Sequence, residues 1–231
     1  MTAAELARLI DHTLLKPEAA PDDVRRLCAE AREHQFASAC VNPVYVPLAA
    51  SLLADSPVKV CAVAGFPLGA SLPGTKLVEA RAAIRLGAGE IDMVIQIGAL
   101  RGGDDAAVEN EIRLLADACH ERGALLKVIL EMALLTREEK IRSATAAMNA
   151  GADFVKTSTG FGPGGATVDD VALLRSVVGT RLGVKAAGGI RSLDDLERMV
   201  AAGATRIGTS SGARILAEFR ARSSPAPRHG S

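Results

Sequence analysis

Apolar and polar positions along this chain follow two periods that take turns. Short runs of small and β-branched residues read as strands of the buried type: Ala37 to Val41, Val58 to Ala64, Ile91 to Ile97 and Leu125 to Leu130. Between them, longer stretches carry their apolar residues on one face. Pro21 to Glu33, Pro43 to Ala54, Leu77 to Leu86, Ala106 to Arg122 and Arg137 to Ala150 read as helices. The alternation continues with a strand over Phe154 to Ser158, a helix over Val168 to Val178 and a strand over Gly183 to Ala187. A helix over Leu193 to Ala202, a strand over Arg206 to Thr209 and a last helix opening near Ser211 complete it. At the other end, Thr2 with Glu5 three residues later predicts a capped helix to Ile10, followed by a first strand over Asp11 to Leu15. Gly87, Gly123, Gly151 and Gly203, each followed by alanine, stand where a helical pattern stops, the place for a left-handed closing residue.

Eight strand runs in 231 residues give units of about 29 residues, the length of a βα unit. The predicted fold class is therefore α/β: a single closed (β/α)8 TIM barrel spanning residues 1–221, with a short extra N-terminal helix. Residues 222–231 are polar and contain proline, and are expected to form a disordered tail.

Composition narrows the picture. Hydrophobic residues make up 48% but aromatics only 3%, with no tryptophan, so an aliphatic core in layers of Val, Ile and Leu is expected. Lys+Arg and Asp+Glu both number 27, which leaves no field to attract nucleic acid or a membrane surface. The first ten residues lack the apolar centre of a signal peptide, and no apolar run reaches about 18 residues. Cys28, Cys40, Cys61 and Cys119 show no paired spacing and read as buried thiols in a reducing compartment, so a cytoplasmic location is expected. His12, His34, His120 and His229 lack metal-ligand spacing, which argues against zinc chemistry. A Walker motif is absent from the sequence.

The chemistry concentrates at strand ends. Lys156 closes an apolar strand and runs into Thr157, Ser158 and Thr159, then a glycine-rich loop from Gly160 to Gly165. A lone strand lysine is usually an edge residue that snorkels to water. Here a second lysine, Lys185, sits in a similar setting before Gly188 and Gly189, and a carboxylate, Asp92, lies on another strand. Two amines and an aspartate at strand ends suggest an amine nucleophile with acid–base partners. Strand parity allows Phe154, Lys156 and Ser158 to point inward, with Asp92, Val94 and Gln96, or Lys127, Ile129 and Glu131, as the matching sets. Lys127 and Glu131 are candidates for a supporting buried ion pair, and Asp11 and Lys16 for lesser roles. Gly188, Gly189 and the run from Gly208 to Ser211 end the last two strands, where barrels often receive phosphate on backbone N–H groups and a helix N-terminus.

Taken together, these blocks resemble the deoxyribose-phosphate aldolase family of class I aldolases over nearly the whole chain. The resemblance is carried by Asp11 to Pro17, Gly65 to Gly69, Glu90 to Ile95, Leu126 to Glu131, Phe154 to Gly162, Val184 to Arg191 and Gly208 to Ser211. It implies reversible cleavage of 2-deoxy-D-ribose 5-phosphate to D-glyceraldehyde 3-phosphate and acetaldehyde, a step of deoxyribonucleotide catabolism. Lys156 would be the Schiff-base lysine, Lys185 its neighbouring amine and Asp92 the proton donor and acceptor. Gly160, Gly188, Gly189, Gly208 and Ser210 would hold phosphate; Lys127, Glu131, Asp11 and Thr157 would support them. No cofactor or metal is expected. The expected partners are the sugar phosphate and acetaldehyde, with further copies of the chain forming a homo-oligomer, a dimer. Phe161 stands where some family members carry lysine, Gln96 where asparagine is common and Gly89 where aspartate is frequent. The rival readings are another class I lyase acting on a ketose phosphate, and a sugar-phosphate binding protein without catalysis.

Overall fold

Apolar runs bounded by helix stops leave each strand one way to bury both faces: beside its neighbours, under the helix that follows. A computed structural model describes residues 1–223. Its strands are β1 (Ile10–Leu14), β2 (Ser38–Val41), β3 (Lys59–Ala64), β4 (Glu90–Val94), β5 (Leu125–Ile129), β6 (Phe154–Lys156), β7 (Gly183–Ala187) and β8 (Arg206–Thr209). All neighbours are parallel, and β8 pairs back onto β1 to close the barrel in sequence order. The helices are α1 (Ala3–Ala7), α2 (Pro21–His34), α3 (Val46–Leu53), α4 (Pro73–Arg85), α5 (Ile97–Arg101) and α6 (Asp105–His120). They continue as α7 (Arg137–Asn149), α8 (Val168–Val178), α9 (Leu193–Ala201) and α10 (Gly212–Ser223). Thr2 caps α1 with Glu5 in the reciprocal box that its spacing predicted.

Four expectations need correction. The capped helix forecast to Ile10 ends at Ala7, and Ile10 opens β1 instead. The strand forecast over Ile91 to Ile97 stops at Val94, because Gln96 becomes the N-cap of the short helix α5. The strand forecast to Ser158 ends at Lys156, where the glycine-rich loop begins to turn. The domain edge at 221 cuts a helix: α10 runs to Ser223, and Arg222 pairs with Asp194 at 2.6 Å and Glu197 at 3.0 Å on α9. The rest of the forecast tail lies outside the described residues.

The aliphatic core forms, but mainly outside the barrel. Ile91, Met93, Val128, Val155, Val184 and Ile207 point outward and are buried under the helices. The opposite parity points inward, and it is mostly not aliphatic. A small apolar cluster of Leu15, Cys40, Cys61 and Val63 occupies one side of the interior. The rest holds Asp11, Glu90, Asp92, Lys127, Lys156 and Lys185, all buried. At the N-terminal end of the strands Arg206 lies over the ring of Phe154, 5.2 Å from its centroid, and plugs the barrel floor.

A second buried ion pair shapes the mouth. Lys76 of α4 donates to Glu111 of α6 at 2.9 Å and to the Val94 carbonyl at 2.8 Å. Glu111 also accepts from the Gln96 amide at 2.5 Å, so one carboxylate fixes the turn after β4. Gly65 packs directly on the Lys76 stem, and a Cβ there would come within 2.8 Å of it. Removing one member strands a buried charge, which typically costs about 3–5 kcal/mol. Glu111→Ala is therefore expected to lower unfolding stability by about that amount in urea titrations. A loss below about 1 kcal/mol would show that the pair is not fixing this turn.

Candidate active site

Register decides which side chains meet inside the barrel. Lys156 on β6 stands directly opposite Lys185 on β7, and Asp92 on β4 opposite Lys127 on β5. All four share one parity and converge on a single carboxylate. Asp92 Oδ1 accepts from Lys127 at 2.7 Å, while its Oδ2 accepts from Lys156 at 2.8 Å and from Lys185 at 2.7 Å. Lys185 is also paired with Asp11 at 2.6 Å, and Lys127 with Glu90 at 2.7 Å. Arg206 closes the set against Asp11 at 2.6 Å and Glu90 at 3.1 Å. Ser38 donates to Asp11 at 2.7 Å.

Four cations thus face three carboxylates in a space largely withdrawn from water. Burial alone would push the ammonium of Lys185 down, but Asp11 and Asp92 beside it overcome this and hold it above the ordinary lysine range. Lys127 is raised in the same way, chiefly by Asp92, Cys61 and Glu90 against its burial. Burial would raise Asp92, yet Lys127, Lys156 and Lys185 hold its carboxyl well below the usual range. Asp11 is likewise held low against burial by Lys185, Lys127 and Arg206. Lys156 differs from the other cations: Asp92 is its one ion-pair partner, and its amine lines the open cavity above.

That cavity holds about 390 Å³ at the C-terminal ends of β1, β6, β7 and β8. Gly160, Gly188 and Gly189, all at positive φ, line it together with Gly208 and Ser210. Gly208 also leaves room for Lys185, since a Cβ there would come within 3.0 Å of the lysine stem. The N-terminus of α10 opens two residues beyond Ser210, so backbone N–H groups and the helix dipole favour an anion on this side. Thr13, Lys16 and Arg191 line the same wall. Lys16 and Arg191 put two side-chain cations there, although position 161 has none. Phe161 instead stacks edge-on against Phe66, with ring centroids 5.4 Å apart.

The supporting residues fall differently from their sequence pattern. Glu131 does not pair with Lys127. Its backbone turns into the left-handed region (φ 55°), which costs a residue with a Cβ and swings the side chain out of the strand parity. Its carboxylate instead accepts from the Thr159 amide at 3.2 Å and from the Thr159 hydroxyl, pinning the loop after β6. Gln96 leaves the interior for Glu111. Thr157 points outward and bridges Ala187, accepting from its amide and donating to its carbonyl, both at 3.1 Å, which locks β6 to β7. Asp11 is central. Glu90 and Arg206 were not singled out as candidates, although each lies two residues before an inward position, Asp92 and Gly208, and parity alone would have placed them.

A closed (β/α)8 barrel whose one open end joins a buried acid–base cluster to a glycine-lined cavity, with a lysine amine between them, has the arrangement of a barrel enzyme site. The DeoC/LacD family aldolase model matches residues 6–218, and the chain belongs to that family. It is 55% identical over 211 residues to the deoxyribose-phosphate aldolase of Geobacillus sp., covering 91% of this chain and 94% of that protein. To the deoxyribose-phosphate aldolase of Shouchella clausii it is 56% identical over 215 residues, covering 93% and 96%. The deoxyribose phosphate aldolase structure from Aeropyrum pernix, described as a unique tetramer, superposes with a TM-score of 0.90. That pair is 39% identical, with 96% of this chain and 93% of that one covered. Among the described residues, no helix is long and apolar enough to cross a membrane.

The charge network makes a testable statement about acid. In the unfolded chain Asp11 and Asp92 titrate as ordinary carboxylates near about pH 4. In the barrel both sit below that range, so their stabilisation is complete above about pH 4 and drains as pH falls toward the folded values. Chemical unfolding followed by circular dichroism should show stability falling below about pH 4. Asp11→Asn, less stable at neutral pH, should show a shallower fall. A wild-type curve that stays flat down to about pH 2 contradicts the network.

Proposed function

We propose that this enzyme is a class I aldolase that reversibly cleaves 2-deoxy-D-ribose 5-phosphate to D-glyceraldehyde 3-phosphate and acetaldehyde, through a Schiff base on Lys156. The observation that carries the reading is the sharing of one Asp92 oxygen by Lys156 and Lys185, with Lys156 alone facing the cavity. With every group charged the interior holds one cation too many. The nucleophile in such chemistry is the uncharged form of the amine.

The amine adds to the C1 aldehyde of the open-chain sugar, and loss of water gives the iminium. Asp92, through a bridging water, takes the C3 hydroxyl proton while the C2–C3 electron pair moves toward the iminium nitrogen. The triose phosphate leaves, and an enamine remains on Lys156. Protonation at carbon and hydrolysis then release acetaldehyde and restore the amine. The iminium is the electron sink for the cleavage. Lys185, held charged between Asp11 and Asp92, keeps the carboxylate in place. The charge of Lys185 is itself offset by the two carboxylates beside it, Asp11 and Asp92. Gly160, Gly188, Gly189, Gly208 and Ser210 receive the phosphate. Lys127, Asp11, Glu131 and Thr157 hold the groups that react. The partners are small molecules and other copies of the chain, arranged as a homodimer. Four free buried cysteines suit a cytoplasmic location.

Borohydride reduction with acetaldehyde should attach a two-carbon adduct to Lys156, and Lys156→Ala should abolish both trapping and turnover. An adduct mapped to Lys127 or Lys185 would remove the assignment. For phosphate, Ser210→Asp places a like charge at the receptacle. It should raise KM for the phosphorylated sugar at least about tenfold more than for 2-deoxyribose. Equal losses for the two sugars would place the anion elsewhere.

A further inference from the structure

Two thiols stand against the same carboxylate, and the cleavage chemistry leaves them without a task. Cys40 on β2 and Cys61 on β3 are register partners pointing into the barrel, both fully buried. Cys61 Sγ lies 3.2 Å from Asp92 Oδ1, and the Cys40, Cys61 and Asp92 donor atoms all lie within 4.8 Å of one another. Tetrahedral zinc with bonds of about 2.3 Å to sulfur and 2.0–2.2 Å to oxygen sets its donors about 3.5–3.8 Å apart. The three atoms therefore need only small shifts to close on one ion. We propose that Cys40, Cys61 and Asp92 form an inhibitory site for a soft divalent metal ion such as Zn²⁺ or Cd²⁺.

Donor chemistry selects the class of ion. Two thiolates and one carboxylate favour Zn²⁺ or Cd²⁺ over Mg²⁺ and Ca²⁺, which take oxygen ligands. Three protein donors leave a fourth position for water. Three ammonium groups touching Asp92 would seem to repel a cation. The exchange, however, balances: one dication enters, two thiol protons leave to solvent, and the formal charge of the interior is unchanged. Lys127 gives up its contacts with Cys61 at 3.2 Å and Asp92 at 2.7 Å but keeps Glu90 at 2.7 Å. Leu15 both lines the cavity and belongs to the cluster that holds the two cysteines, so the thiols lie next to the mouth. Inhibition follows from geometry. The metal draws Asp92 toward β2 and β3, away from the amine that it must serve on β6.

The test titrates CdCl₂ or ZnCl₂, with MgCl₂ as control, into full-length protein kept reduced by tris(2-carboxyethyl)phosphine. The expected result is one Cd²⁺ per chain, an ultraviolet thiolate-to-cadmium charge-transfer band, and loss of turnover restored by EDTA. Cys40→Ala should keep turnover within about threefold of wild type, lose the band, and raise the half-inhibiting Cd²⁺ concentration at least about tenfold. Cys28→Ala, altered on α2 outside the barrel, should change neither reading. If Cys40→Ala folds poorly by circular dichroism, Cys61→Ala replaces it as the ligand deletion. A band and inhibition that persist in a folded ligand-deletion variant overturn the proposal, as does a wild-type protein with no band at saturating Cd²⁺. The band and the stoichiometry read the site even if trapping at Lys156 fails, so the two proposals stand or fall apart.

Discussion

Everything at the centre of this barrel depends on the sharing of Asp92. A carboxylate removed from water by eight strands must be compensated in place, and here three ammonium groups do it at 2.7–2.8 Å. The cost of desolvating such charges is several kcal/mol each and is recovered only when partners are close and well oriented. That requirement reaches outward. Asp11 and Glu90 are needed because three lysines exceed what one carboxylate can hold, and Arg206 because Asp11 and Glu90 then need a cation below them. The single amine left with one anchor is the one that faces substrate space. The reactivity proposed for Lys156 is in this sense what remains after every other charge in the interior has been matched.

The supporting shell answers the same constraint from outside. Thr157 ties β6 to β7 through both backbone groups of Ala187, so the two lysines cannot drift apart. Glu131 gives up strand geometry to hold Thr159, which sets the loop that starts the anion receptacle. The Lys76 and Glu111 pair repeats the logic on the far side, with a buried charge fixing the turn after β4. Each device spends local backbone or desolvation energy to hold a loop at the one open end of the barrel.

Much of this was legible in the sequence, for reasons that also mark its limits. The helix over Val168–Val178 and the strands over Gly183–Ala187 and Arg206–Thr209 have the forecast ends, because glycines, caps and β-branched runs state them locally. Lys156, Lys185 and Asp92 stand out because charge in an apolar strand needs explanation. The Lys127 and Glu131 pairing failed where parity was carried past the strand end, since a single left-handed residue resets it. Parity turns Glu90, Arg206, Cys40 and Cys61 inward, but which side chains they then meet is set by register between strands. A pattern along one strand is silent about which neighbour it will face.

The plug of Phe154 and Arg206 makes the barrel a blind well. Gly183, opposite Phe154 in register, carries no side chain, and a Cβ there would collide with the ring that seals the floor. A molecule that reaches Lys156 must therefore come and go through the same opening. In such a well, depth becomes sequence in time. On the proposed chemistry, a fragment held at the glycine rim would block the way of one bonded below it, so the outer piece would depart before water reached the inner one.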